Sequence, residues 1–121
     1  MAQDRGIDMC HLTMADSDDY PNLHVLVETQ VLRILFEGKE KRAAGVEIRA
    51  NPKFAQNGKD NSTKIVKAKR LVVASAGSFG TPLLLERSGV GDPAVLEKAG
   101  VTVVESLAGV GNDFQGKPKL S

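Results

Sequence analysis

The sequence has little of several features that mark whole classes of protein. A single cysteine, Cys10, stands among 121 residues, which excludes an internal disulfide and a cysteine metal cluster. The net charge of +1 points to neither a nucleic-acid partner nor a membrane surface. Apolar runs are too short to span a bilayer, and MAQDRGIDMC at the start lacks the apolar core of a signal peptide. With 41% hydrophobic and 26% charged residues, the composition is that of one small ordered domain.

Residues 1–21 are polar and acidic and predict a loop or a loosely attached tail. Asp16, Asp18 and Asp19 could in principle hold a calcium ion, but the D-x-D-x-D-G spacing of a calcium loop is absent. A solvated acidic turn is therefore the favoured interpretation. His11 has no placed acid or nucleophile beside it, which is typical of a surface residue.

Alternating apolar residues predict a β-rich region from Asn22 to Lys69. The run LHVLVETQVLRILF, residues 23–36, predicts two strands or one bent strand, and residues 43–50 follow a charged turn as the second half of an antiparallel hairpin. Residues 51–63 carry proline, glycine and several amides, which predicts a surface insertion. The glycosylation pattern at Asn61 is interpreted as chance.

The run KIVKAK, residues 64–69, predicts one more short strand. It carries most of a basic stripe near the small-residue turn that follows: Lys64, Lys67, Lys69 and Arg70. A solvated strand edge that discourages aggregation is favoured over a phosphate-facing role.

The rest of the chain is organised around residues 70–91, RLVVASAGSFGTPLLLERSGVG. The unbroken apolar run 71–74 predicts a strand covered on both faces, and the small residues after it allow a sharp bend. Thr81 and Pro82 predict the N-cap and first residue of a helix, which Gly89 ends. Asp92 and Pro93 likewise predict the N-cap and first residue of a second helix, and residues 101–104 predict a last strand.

A strand that runs through small residues into a helix N-terminus is where α/β folds place a nucleotide, because unpaired N–H groups and the helix dipole favour anionic oxygens. Many such junctions bind nothing, and no full G-x-G-x-x-G stands here. The spacing alone leaves both interpretations open.

The run 77–91, GSFGTPLLLERSGVG, resembles the second sequence signature of the glucose-methanol-choline (GMC) family of FAD-dependent oxidoreductases. The small pair, Thr-Pro, the aliphatic residues and the closing Ser-Gly-Val-Gly are all in place. Residues 109–115, GVGNDFQ, extend the resemblance, whereas GKPKLS at 116–121 departs from the Asp-His that usually follows in the family. A chance match within an unrelated nucleotide-binding α/β domain is the least favoured alternative.

The resemblance implies a partial α/β, Rossmann-like FAD-binding domain over residues 22–115, with a β-hairpin-rich portion and two short helices, between a polar tail at 1–21 and a non-family tail at 116–121. It implies FAD as cofactor. Val31 matches the family's adenine-contacting valine, which acts through its backbone groups, and Ala76 and Gly77 form the turn that faces FAD. The alternative for Val31, a core strand residue, would leave the side chain looking the same.

The resemblance also implies oxidation of the CH-OH group of primary alcohols by hydride transfer to flavin. The family's pyrophosphate loop has no match here. Its catalytic histidine has none either, since His11 and His24 both precede the FAD-associated motif. Two hypotheses follow: a fragment of an alcohol oxidase or dehydrogenase that is inactive alone, or a non-catalytic remnant or interaction module. The expected partners are FAD and an alcohol in the full-length family, with a complementing chain for the exposed sheet edge, and neither nucleic acid nor membrane.

Overall fold

A computed structural model describes residues 19–53 and 62–112 of the chain. A three-stranded antiparallel sheet comes first and a helical segment with a second, very short parallel sheet follows. The elements in chain order are β1 (Thr29–Glu37), β2 (Arg42–Ala50), β3 (Thr63–Lys67), α1 (Gly77–Arg87), β4 (Val90–Gly91), α2 (Pro93–Lys98) and β5 (Glu105–Ser106). Cys10, His11, Asp16, Asp18, Asn61 and residues 113–121 lie outside the described ranges.

The predicted hairpin is confirmed, and its two strands, β1 and β2, are the edge and the centre of the larger sheet. Strand order is β1-β2-β3, with β1 and β3 each antiparallel to β2. Between β1 and β2 the chain turns through Gly38 and Lys41, both at positive φ. Only one strand forms from the run 23–36, because Glu28 adopts φ 51° just before β1 and interrupts the extended chain. Val25, Leu26 and Val27 are exposed.

The predicted buried strand at 71–74 is wrong for this structure. Residues 71–76 pair with no other strand among the described residues, and Leu71 and Val73 are 67% and 76% exposed. A parallel strand covered on both faces needs neighbouring strands and helices around it, and the described residues supply neither to this segment. Its backbone instead runs unpaired toward α1.

Helix α1 begins four residues before the predicted N-cap. Its first residue is Gly77, at φ +85°, and Ala76 occupies the cap position. Thr81 lies within the helix, where its hydroxyl oxygen accepts a hydrogen bond from the Ala76 N–H at 3.0 Å, and Pro82 is likewise internal. Glycine permits the positive φ that starts the helix early, so the Thr-Pro pair marks its first turns rather than its start.

The predicted C-terminal end of α1 and both predicted ends of α2 are confirmed. Gly89 follows the α1 cap at φ +86°, its N–H donating to the Glu86 carbonyl at 3.0 Å. Asp92 caps α2 by accepting a hydrogen bond from the Ala94 N–H at 2.9 Å, and Pro93 is the first helical residue. Gly100, at φ +70°, follows the last turn.

The final strand lies one residue beyond the predicted range. The Gly89 carbonyl accepts N–H bonds from both Val104 and Glu105, and the parallel pairing of β4 with β5 starts only there. Residues 101–103 therefore lead up to the strand instead of forming it.

The hydrophobic core of the described residues is small. Ile34, Val90 and Leu96 are its buried apolar side chains, and Leu96 is 1% exposed. Leu96 lies beside Gly91 of β4, and Ile34 lies in β1 where that strand bonds to Ser88. No helix among residues 19–53 and 62–112 is long and apolar enough to cross a membrane.

Candidate functional site

A cavity of about 670 Å³ lies between the open edge of β1 and the segment that leads into α1. Its volume is in the range of ligand-binding pockets. One wall is the edge of the sheet, and the other is residues 72–76 together with one face of α1. The described lining residues are Thr29, Gln30, Val31, Ile34, Val46, Asn51, Lys53, Val72, Val73, Ala74, Ser75, Ala76, Gly80, Leu83, Leu84 and Arg87.

The hydrogen bonds of β1 show which way the Val31 backbone points. The Glu28 carbonyl faces β2, because it accepts a bond from the Asn51 N–H at 2.8 Å. Strand groups alternate in direction, so Val31 faces away from β2. The Ile34 N–H also faces outward, since it donates to the Ser88 hydroxyl at 2.8 Å.

Val31 and Ile34 both face away from β2, although residues three apart in a regular strand face opposite ways. A β-bulge between them accounts for this. The pairing register shifts between Val31 and Arg33, so Leu32 is an extra residue relative to β2. Without it, simple alternation from Ile34 would turn the Val31 backbone inward. The bulge thus leaves the N–H and C=O of Val31 on the open edge, beside the cavity.

The structure brings Ala76 to the same cavity as Val31, while Gly77 lies just outside its lining. Ala74, Ser75 and Ala76 present small side chains to it. Gly77 has φ +85°, and a Cβ placed there would meet nothing within 4 Å. The turn therefore leaves room for a bulky group to approach it closely.

Ser88 joins α1 to the sheet, a role that the sequence analysis did not assign. Its buried hydroxyl accepts the Ile34 N–H and donates to the Leu84 carbonyl at 2.6 Å. Both polar groups of this contact are satisfied away from solvent, which fixes the distance between α1 and β1. The closing Ser-Gly-Val-Gly of the motif could have indicated such a packing role, because it combines one small polar residue with glycines.

The basic stripe does not line this cavity. Lys67 and Lys69 border a separate cavity of about 710 Å³ near the hairpin turn, and β3 is an exposed edge strand. These positions agree with the solvated-edge interpretation.

One ion pair lies on the surface of the sheet, between Arg33 and Glu47. The Arg33 guanidinium donates to the Glu47 carboxylate at 2.6 Å, and this hydrogen bond, followed by that of the Thr63 hydroxyl, lowers the pKa of Glu47. His24 lies before β1 and does not line the cavity. No cluster of metal-ligating side chains occurs among residues 19–53 and 62–112.

The second glycine motif lies against α1, away from the cavity. Gly111, at φ +78°, sits where an added Cβ would be 2.8 Å from the Glu86 carboxylate. The described part of this motif therefore contacts the face of α1 that carries Glu86.

Comparison with known proteins places the chain in a family. The sequence model of GMC oxidoreductases matches residues 3–119. Alcohol oxidase 1 of Komagataella phaffii is 42% identical over 105 residues, 87% of this chain and 15% of its own length. Oxygen-dependent choline dehydrogenase of Cronobacter sakazakii is 38% identical over 95 residues, again 15% of its length.

A solved structure is similar as well. An FAD-dependent oxidoreductase from Chaetomium thermophilum superposes with a TM-score of 0.64 at 33% identity, covering 74% of this chain and 14% of that one. The chain thus spans about 15% of the length of the curated relatives named above. These matches confirm the resemblance in the 77–91 motif and the α/β fold class with a hairpin sheet and two short helices. The chain belongs to the GMC oxidoreductase family.

Proposed function

We propose that this chain forms the adenine-binding part of an FAD-binding domain in an oxidoreductase that acts on the CH-OH group of primary alcohols. One observation carries the proposal: the outward-facing backbone of Val31 and the small-residue turn at Ala76 border one cavity. An N–H and a C=O side by side match the acceptor and donor on the edge of adenine. The residues present therefore fit this cofactor.

FAD, when bound, supplies the acceptor for the hydride that leaves the alcohol carbon. The chain's own residues would bind and orient the adenine end: Val31 by hydrogen bonding, and Ala74 to Ala76 by leaving room beside the backbone. His24 is the histidine within the described ranges, and it lies outside the cavity lining. The group that accepts the alcohol proton is accordingly expected outside the described residues.

A second candidate function, a non-catalytic interaction module, is favoured by the segment 71–75. Leu71 and Val73 are exposed apolar side chains on a backbone that pairs with no described strand. Such a segment can add to the edge of a sheet in a complementing chain. Retained flavin distinguishes the two functions, because the interaction module needs none.

A proline at position 31 tests the role of the backbone. Val31→Pro removes an N–H that faces the open edge, so no ladder bond to β2 is lost and the fold is retained. We expect the affinity for FAD to fall by about tenfold, the loss of one hydrogen bond in a desolvated site. The measurement is the absorbance spectrum of retained flavin after incubation with excess FAD and removal of free cofactor, together with a titration followed by flavin fluorescence.

Val31→Ala is the matched control, because it keeps the backbone groups and changes only the side chain. It is expected to retain FAD within about twofold of the parent chain. Ala76→Leu, which places a large side chain at the turn, gives a second variant that should lose FAD without altering β1. Equal binding by the parent chain, V31P and A76L, or no flavin bound by the parent chain, would contradict the proposal.

A further inference from the structure

The outer edge of β3 is a backbone surface that no strand of the described residues covers. It lies at the opposite edge of the sheet from the cavity beside β1. Just after β3, the Ala68 N–H donates to the Ala44 carbonyl at 2.8 Å and so faces β2. Backbone direction alternates along a strand, so the N–H and C=O groups of Thr63, Ile65 and Lys67 face away from β2. These groups are free to pair with a further strand.

The side chains at this edge combine positive charge with exposed apolar surface. All five residues of β3 are exposed, and Ile65 and Val66 are 62% and 44% exposed. Lys64 and Lys67 flank these two, and neither lysine forms an ion pair within the described residues. Residues 63–70 contain no carboxylate and four cations, which are Lys64, Lys67, Lys69 and Arg70.

The carboxylates near β3 do not neutralise this charge. Glu47 lies opposite Ile65 on β2, where its carboxylate is already held by Arg33 and by the Thr63 hydroxyl. At the other end of β3, the cavity near the hairpin turn is lined by two carboxylates and four cations: Glu37, Glu40, Lys39, Arg42, Lys67 and Lys69. The edge of β3 is therefore positively charged along its length.

This charge argues against a second copy of the chain as the strand that covers the edge. Two β3 edges side by side would bring two sets of four cations together, and like charges on neighbouring strands repel. An acidic strand would instead be attracted, and its backbone could form the same hydrogen bonds. The lysines thus select among the strands that could pair here.

We propose that the open edge of β3 binds an extended acidic segment of a partner protein, which joins the sheet as a fourth strand. Lys64 and Lys67 are three residues apart and lie on opposite faces, and a residue directly opposite each one shares its face. The partner is therefore expected to carry carboxylates three residues apart, with two apolar residues between them opposite Ile65 and Val66. This site and the cavity lie at different edges of the sheet, so the inference does not depend on FAD binding.

The test is a fluorescence anisotropy titration of the full 121-residue chain with two labelled peptides at low ionic strength. One peptide has the core Glu-Val-Val-Glu, the other has Lys-Val-Val-Lys, and two threonines flank each core on both sides. The acidic peptide is expected to bind at least about tenfold more tightly, because two opposite-charge pairs replace two like-charge pairs. High salt should remove most of this difference.

Two variants separate the backbone contribution from the charge contribution. Ile65→Pro removes an outward N–H without breaking a bond to β2, so it should keep the sheet and bind the acidic peptide about tenfold more weakly. The double variant K64E/K67E should reverse the preference and bind the lysine peptide more tightly. Lys98→Glu is the matched control, because Lys98 lies in α2, outside the sheet, and this variant should bind as the parent chain does.

Several results would overturn the proposal. They are no binding of the acidic peptide, equal affinity for the two peptides, an affinity that I65P leaves unchanged, or a K64E/K67E variant that keeps the parent's preference. Sedimentation equilibrium of the chain alone tests the other occupant. A dimer that I65P dissociates would show that a second copy covers the β3 edge and would likewise overturn the acidic partner.

Discussion

Gly89→Ala is expected to unfold the chain, with a loss of more than about 3 kcal/mol in the free energy of unfolding. Gly89 has φ +86°, and an added Cβ would overlap the Thr102 carbonyl oxygen and lie 2.8 Å from the Val104 side chain. Both contacts are rigid, because the Gly89 carbonyl also accepts the N–H groups that start β5. Urea unfolding followed by circular dichroism should show no cooperative transition for this variant.

Gly100→Ala is the matched control for that result. Gly100 also has a positive φ, +70°, but a Cβ there would meet nothing within 4 Å. Only the conformational strain of the left-handed backbone remains, about 1 kcal/mol. Similar losses for G89A and G100A would contradict the packing role assigned to Gly89.

Leu96→Ala is the second substitution with a large expected effect. Leu96 is the most deeply buried side chain of the described residues, 1% exposed, and its methyl groups lie 3.6 and 3.8 Å from where a Cβ on Gly91 would be. Removing them loses transfer free energy and leaves a cavity, so we expect about 3 kcal/mol less stability. In a domain with so small a core, that is a large share of the total.

Val95→Ala provides the comparison, since Val95 is the neighbouring residue of α2 and is 47% exposed. Its loss should be less than about 1 kcal/mol in the same urea unfolding experiment. A loss for V95A as large as that for L96A would contradict the assignment of Leu96, and not Val95, to the core.

Local signals in the sequence predicted the parts of the fold that local physics decides. Alternation and a charged turn gave the hairpin, and Asp92-Pro93 with Gly100 gave both ends of α2. Thr81-Pro82 was misleading because Gly77 offered an earlier entry into α1. The run 71–74 was misleading because its apolar residues suit a buried strand, whereas burial depends on neighbours that the described residues do not provide.

The site residues named from the sequence stay a prediction, and the sequence gives no indication of their geometry. The resemblance to the GMC family singled out Val31, Ala76 and Gly77, and the structure places Val31 and Ala76 on one cavity. The outward direction of the Val31 backbone depends on a β-bulge at Leu32. The residue types in this strand do not predict that bulge. The role of Ser88 could not be assigned, because it arises from a contact with Ile34, which lies far away in the chain.

The most direct test of the central claim is a two-dimensional ¹⁵N-¹H NMR titration of the chain with AMP, which reports each backbone amide separately. The account predicts that the Val31 amide and those of Ala74 to Ala76 shift together and saturate at one affinity, while amides of α2 stay in place. Shifts confined to other parts of the chain, or no shifts in a large excess of AMP, would contradict an adenine site at this cavity.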